Sequence, residues 1–138
     1  MFLLDQIERQ LPPAPARDPA APTALGGIRV VDFSHFIAGP YATMMLADFG
    51  ADVIKIEAPG KGDDFRHYPP TDPAFPAQGA SFFFANRNKR SVALDLKNAA
   101  ALEVVRELIA TSDVLVENFS TGVMQRFGLD PETCLALN

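Results

Sequence analysis

IRVVDF at residues 28–33, AGPYATMMLADFG at 38–50 and DVIKIE at 52–57 read, in that order, as a strand, a helix and a second strand. The two strand runs are apolar and rich in β-branched residues, and the first opens after Gly26 and Gly27; such runs suit strands buried on both faces. Between them, Pro40 stands near the helix start and Gly50 at its end. That is the asymmetry helix termini favour, since the first amides need no partner and the last turn often reverses hand. Downstream the alternation repeats. SVALDL at 91–96 predicts a third strand, Asn98 caps a helix over 99–110 with Leu102, Val105, Leu108 and Ile109 on its apolar face, and DVLVE at 113–117 predicts a fourth strand. Strands alternating with helices over short connections pair in parallel through right-handed crossovers. The fold class is therefore α/β, an open Rossmann-like parallel sheet with flanking helices. Ligands of such sheets lie beyond the C-terminal strand ends, which directs attention to Ser34 and His35, to 58–62 and to 118–122.

Outside this frame, residues 1–10 predict a short amphipathic helix. LPPAPARDPAAPTA at 11–24 is too rich in proline to hold a helix or join a sheet, so 1–24 reads as an extended lead-in to the α/β portion at 25–138. The stretch 58–78 carries Pro59, Pro69, Pro70, Pro73 and Pro76 and reads as a long surface loop, of the kind that usually serves function.

Composition bounds the partners. With 138 residues and 48% hydrophobic content the chain can bury one core. A net charge of -5 and a pI near 4.9 argue against a nucleic-acid partner, which needs clustered and uncompensated cations. The single Cys134 cannot form an internal disulfide and reads as a buried thiol, and a reducing, cytoplasmic setting is expected. No basic segment precedes an apolar run at the N-terminus, and no apolar stretch approaches the roughly 18 residues of a membrane span, so neither export nor membrane insertion is expected.

Several chemistries drop out on motif grounds. The turn after the first strand is SHFIAGP at 34–40, and GKGDDF at 60–65 lacks a third glycine, so a dinucleotide fingerprint fails; a Walker phosphate loop is also missing. His, Cys and carboxylates show no metal-site spacing, and no metal is expected. What remains is a set of polar residues at strand and loop ends: His35, Asn86, Arg87, Lys89, Arg90, Lys97, Asn118 and Arg126. The run NRNKR at 86–90 reads either as a solvated basic turn or as a phosphoryl site built on charge-assisted hydrogen bonds. His35 reads either as a hydrogen-bonded structural histidine or as a ligand contact.

Three longer stretches carry a resemblance. LGGIRVVDFSHFIAGPYATMMLADFGADVIKIEAPGKGDDFR at 25–66, NRNKRSVALDLK at 86–97 and DVLVENFSTGVMQRFGL at 113–129 resemble, in order and spacing, the N-terminal signatures of the class III CoA-transferases. The resemblance implies an incomplete portion of a larger Rossmann-like domain, with coenzyme A as the bound group. It implies that His35 and Ala38 lie beside CoA, that Leu94 and Lys97 meet its adenine and phosphate end, and that Asn118, Phe119 and Arg126 complete the contacts. Two positions depart from formyl-CoA transferases: Ala58 stands where an arginine contributes to CoA binding, with Lys61 nearby as a substitute, and Ile37 stands where a glutamine faces the acyl group. A larger or less polar acyl group than formyl or oxalyl is expected.

By the same resemblance the substrates are an acyl-CoA and a carboxylic acid, and complete members form interlocked homodimers. An aspartate is their nucleophile, forming an acyl-enzyme anhydride and then an enzyme–CoA thioester. None of Asp32, Asp48, Asp52, Asp63, Asp64, Asp95 or Asp113 occupies its motif, so it is expected beyond residue 138, and the chain alone is expected to be inactive. Asp32 and Asp95 read as structural. Two alternatives share these signatures or this site: an acyl-CoA racemase, and a non-catalytic CoA-binding subunit.

Overall fold

The computed structural model describes residues 21–74 and 79–138. The helix expected over 1–10 and most of the proline-rich lead-in lie outside the described residues. Four strands form the sheet: β1 Arg29–Asp32, β2 Asp52–Glu57, β3 Arg90–Ala93 and β4 Val114–Val116, all parallel, in the order β3-β2-β1-β4. The helices are α1 Ala38–Asp48, α2 Ala80–Asn86, α3 Ala99–Ala110, α4 Val123–Arg126 and α5 Pro131–Leu137. The expected α/β architecture is present. Because β2 and β3 lie on one side of β1 and β4 on the other, the topological switch point falls between β1 and β4, where ligand crevices of open α/β sheets form.

Strand alternation divides the sheet into two unlike faces. Val31 pairs in register with Ile54, and both join Phe33, Ile56, Val105 and Ile109 in the larger core, beneath α3. Val30 pairs with Val53 on the opposite face and packs with Ala47 of α1. Helix α3 has the expected bounds: the Asn98 side chain accepts from the Ala100 amide, Val105 and Ile109 are buried, and Leu102 and Leu108 pack at the core margin. Helix α1 ends ahead of Gly50, whose φ of +100° is a conformation that β-carbons disfavour.

The second face changes character along the strands. Asp32 stands opposite Lys55 in the β1–β2 ladder, and Glu57 follows two residues on, so three charged side chains succeed Val30 and Val53 on the α1 side. All three are essentially inaccessible to water. Lys89 reaches Asp32 Oδ2 at 3.0 Å and also donates to the Pro40 carbonyl and to Asn86 Oδ1, both at 2.8 Å, so that each ammonium hydrogen has an acceptor. Ser34 and Thr43 donate to the same Asp32 carboxylate. Burial pushes Lys89 down to about 8 against the pull of Asp32. For Asp32, burial works upward, but Lys89 and Lys55 together hold the carboxyl below its ordinary range. The structural reading of Asp32 stands.

In the basic run 86–90 Arg87, Asn88 and Arg90 are exposed, as a solvated turn requires, and each cation has a carboxylate partner. Arg87 forms an ion pair with Asp48, Lys89 with Asp32 and Arg90 with Asp52, so its cations are matched by carboxylates of α1 and of the first two strands. Other differences are local. The third strand ends at Ala93 rather than at 96, because the Asp95 side chain and carbonyl accept from the Lys97 and Asn98 amides and bend the chain out of the ladder. Within 58–74 the chain is not purely superficial: a 3-10 turn at Asp64–His67 carries Phe65 into the interior, beside fully buried Asp63. Residues 75–78 of that segment lie outside the described ones. Cys134 is half-buried on α5, its thiol donating to the Leu129 carbonyl at 3.3 Å, and burial raises its pKa.

Candidate functional site: a cleft at the strand ends

The loops after all four strands open on the same end of the sheet, and together they enclose a cleft of about 240 Å³. Phe33 and Ile56 form the base on the larger-core face, Leu94 and Leu96 form one wall, and Phe119, Val123 and Phe127 form the other. Polar groups sit around this apolar interior: Glu57, Asp95 and Lys97 on the β2–β3 side and His35 on the β1 side. A cleft with a planar apolar wall and a cation at its margin suits a ligand that joins a flat ring system to anionic groups.

Four of the residues implicated by sequence line this cleft, namely His35, Leu94, Lys97 and Phe119. Asn118 does not line it but fixes its rim. The Asn118 side chain accepts from the His35 amide at 2.8 Å and donates to the His35 carbonyl at 2.9 Å, a reciprocal pair that ties the β1 loop to the β4 loop across the switch point. The His35 ring lies 5.0 Å from the Phe119 ring, centre to centre, at 47°. Burial lowers the His35 pKa, with Asp63 pulling the other way, so the imidazole is neutral at pH 7. Ala38 and Arg126 are not brought into the cleft. Ala38 is exposed at the first position of α1, and Arg126 is exposed on α4, the helix that contributes Val123 to the wall.

The two departures noted in the sequence have distinct settings. Ala58 lines the cleft. Lys61 pairs with Asp64 at 2.6 Å with both side chains about two-thirds exposed, a contact that competes little with a ligand phosphate. Ile37 is half-exposed just ahead of α1.

A family model described as CoA-transferase family III matches residues 25–138. The chain belongs to that family. A formyl-CoA:oxalate CoA-transferase of Rhodopseudomonas palustris (strain BisA53) is 46% identical over 119 residues, covering 83% of this chain and 27% of the relative. A succinyl-CoA:glutarate CoA-transferase of Mus musculus is 44% identical over 108 residues, covering 78% and 24% respectively. Among solved structures, a CAIB/BAIF family protein from Brucella suis superposes with a TM-score of 0.79 at 41% identity, covering 86% of this chain and 32% of its own. The chain thus spans about a quarter of the length of the curated CoA-transferases it matches.

Beside the cleft in this family III chain lies a feature that motif reading did not find, the Glu57–Arg66 pair. Arg66 donates to Glu57 from Nε at 2.7 Å and from a terminal nitrogen at 2.6 Å, Ser91 Oγ adds a third contact at 2.5 Å, and the Asp63 amide a fourth at 2.9 Å. Arg66 also covers the Phe82 ring at 3.7 Å. Gly62, with φ of +68°, closes the turn between them, and a β-carbon there would stand 2.8 Å from both Arg66 and Glu57. The sequence signal was the lone glutamate ending an apolar strand, which needs a partner if buried.

Although burial raises its pKa, the hydrogen bonds from Arg66, Ser91 and Asp63 bring Glu57 from 4.5 down to about 2. A depressed carboxyl stabilises the fold fully above its unfolded value and loses that contribution as pH falls through the folded value. Stability on the order of 3 kcal/mol should therefore disappear between about pH 4.5 and pH 2. Urea unfolding across this range should show a steep acid limb in the unaltered chain and a shallower one in Glu57→Gln. Identical limbs would contradict the assignment.

Proposed function

We propose that the cleft at the strand ends holds coenzyme A and that the chain supplies this part of the binding site of a CoA-transferase. The observation that carries the reading is the placement of Leu94, Lys97, His35 and Phe119 around one apolar cleft in a chain of CoA-transferase family III. Phe119 and Leu94 offer apolar surface to the adenine, and Lys97 offers an ammonium to the phosphates. Asn118 contributes through its hold on His35, Ala38 from the exposed start of α1, and Arg126 from α4 as a second cation for phosphate.

The transfer step uses an aspartate outside these 138 residues. Its carboxylate attacks the acyl-CoA carbonyl and expels CoA thiolate, leaving a mixed anhydride; the thiolate then attacks the aspartyl carbonyl, releasing the donor acid and leaving an enzyme–CoA thioester. The acceptor carboxylate repeats the sequence in reverse. Two observations support placing the nucleophile elsewhere. Asp32 and Asp63 are fully buried beside lysines, and Asp48, Asp52 and Asp64 are each held by a cation. Ile37 favours an acyl group larger or less polar than oxalyl, since an apolar contact gains about 0.8 kcal/mol per CH₂ while a charged group facing it loses a hydrogen-bond partner.

Calorimetry tests the binding claim. The chain should bind CoA, and Lys97→Ala and Arg126→Ala should each weaken binding by about 1–3 kcal/mol, the cost of a lost charge-assisted hydrogen bond. Dephospho-CoA should show which of the two meets the ribose phosphate. Unchanged affinity in both variants would overturn the assignment. In an exchange assay between an acyl-CoA and a free acid, the chain alone should not turn over. Complemented by a polypeptide carrying the remaining family region, it should use succinyl or butyryl donors in preference to oxalyl. Turnover by the chain alone on the order of 1 per second would place the nucleophile within it.

A further inference from the structure

The turn that carries His35 leaves the sheet, and its main-chain polar groups from the Ser34 amide to the Phe36 amide are met by side chains. The Ser34 amide donates to Asp32 Oδ1 at 2.9 Å, and the Ser34 carbonyl accepts from Lys55 Nζ at 2.7 Å. The His35 amide and carbonyl are taken by Asn118, and the Phe36 amide donates to Asp63 Oδ1 at 3.1 Å. Phe36 has φ of +68°, a left-handed conformation that costs a bulky residue about 1–3 kcal/mol and persists only where the surroundings over-determine it. The groups on either side of His35 are held by Lys55 and Asp63, which pair with each other at 2.9 Å. Both are fully buried, and Asp63 Oδ2 has that ammonium as its ionic partner without an aligned hydrogen bond.

A buried ion pair is an expensive way to gain stability, because desolvation of the two charges offsets their attraction. Here its two members hold the same short turn at the positions before and after His35. We propose that Lys55 and Asp63 are positioning residues: they fix the Ser34 carbonyl and the Phe36 amide so that the His35 ring stands against Phe119 at the cleft before ligand arrives. This rests on the reading of the cleft as the CoA site, and it adds to that reading a pair of residues that touch no ligand. Pre-organisation of the rim raises affinity by removing an ordering cost at the moment of binding.

The test is the double variant Lys55→Met/Asp63→Ala. It removes both charges together, so no unpaired charge remains inside, while the hold on Ser34 and Phe36 is lost. His35 is titrated by NMR without ligand. Asp63 raises its pKa and Lys55, the weaker of the two, depresses it, so their joint removal does not by itself move the titration up, while Asp64 and Asp32 remain in place. A loosened turn exposes the ring, and its titration should move up towards the ordinary 6.5. CoA affinity by calorimetry should fall by roughly tenfold or more. A folded variant in which the His35 titration is unmoved overturns the proposal, whatever the affinity does. A shifted titration in a protein whose unaltered form does not bind CoA supports the positioning role and overturns the reading of the cleft. If the double variant does not fold, amide exchange in the unaltered chain decides. The His35 and Phe36 amides should be protected to the level of the β1 amides, and free exchange at either overturns the proposal.

Discussion

Asp32 and Lys55 face each other across the β1–β2 ladder on the side turned towards α1, and neither charge reaches water. Two opposite charges so placed cannot be left with each other alone, because each has hydrogen-bonding capacity that an apolar interior would leave unmet. Lys89 therefore comes to Asp32 from the strand-entry segment of β3, and Asp63 comes to Lys55 from the turn after β2. The result is a neutral set of four charges at the C-terminal end of one sheet face. It ties together α1 through Thr43 and Pro40, α2 through Asn86, and the loops that follow β1 and β2. Gly39, in the first turn of α1, belongs to the same constraint: a β-carbon on it would lie 2.3 Å from that of Ser34.

The two faces of the sheet thereby take on separate tasks. The face under α3 is apolar to its end, so that where its core runs out beyond β1, β2 and β3 it becomes the lining of the cleft. The opposite face is ionic at the same end and holds the loop that crosses from β1 to the rim. The two meet at His35, whose backbone is fixed from the β4 side by Asn118 and whose ring packs on Phe119. A neutral imidazole there presents a polar edge without adding charge to the cleft, and Lys97 is left as the cation at its opposite margin.

Much of this was legible in the residue order. The bounds of α1, β2 and α3 follow directly from proline, glycine and asparagine punctuation around periodic apolar runs, and the parallel sheet follows from their alternation. The ionic face was harder to read. In VVD and VIKIE the charged residues share one face of the strands and apolar residues the other, but their partners Asp63 and Lys89 lie in segments read as a surface loop and a basic turn. Sequence position gives no sign that such groups converge. Helix α2 escaped notice because ASFFFAN follows a proline-rich stretch and its aromatic run carries no helical period. Helix α5 did carry a readable start, with Asp130 capping through the Thr133 amide and Pro131 in the first turn. At the site, the four lining residues expected from family resemblance share one cleft, whereas Ala38 and Arg126 stand outside it, a distinction that only the placement of α1 and α4 makes visible.

The central claim is that the apolar cleft at the strand ends is where coenzyme A sits. Titration of CoA into the isotopically labelled chain, followed by amide and methyl chemical shifts, examines that claim residue by residue. The account predicts saturable shifts concentrated at His35, Leu94, Lys97 and Phe119, with the buried valines Val30 and Val53 of the opposite face unmoved. Saturable shifts centred instead on the groove beside β4, at Leu115, Met124 and Leu135, or no saturable shift at all, would contradict it.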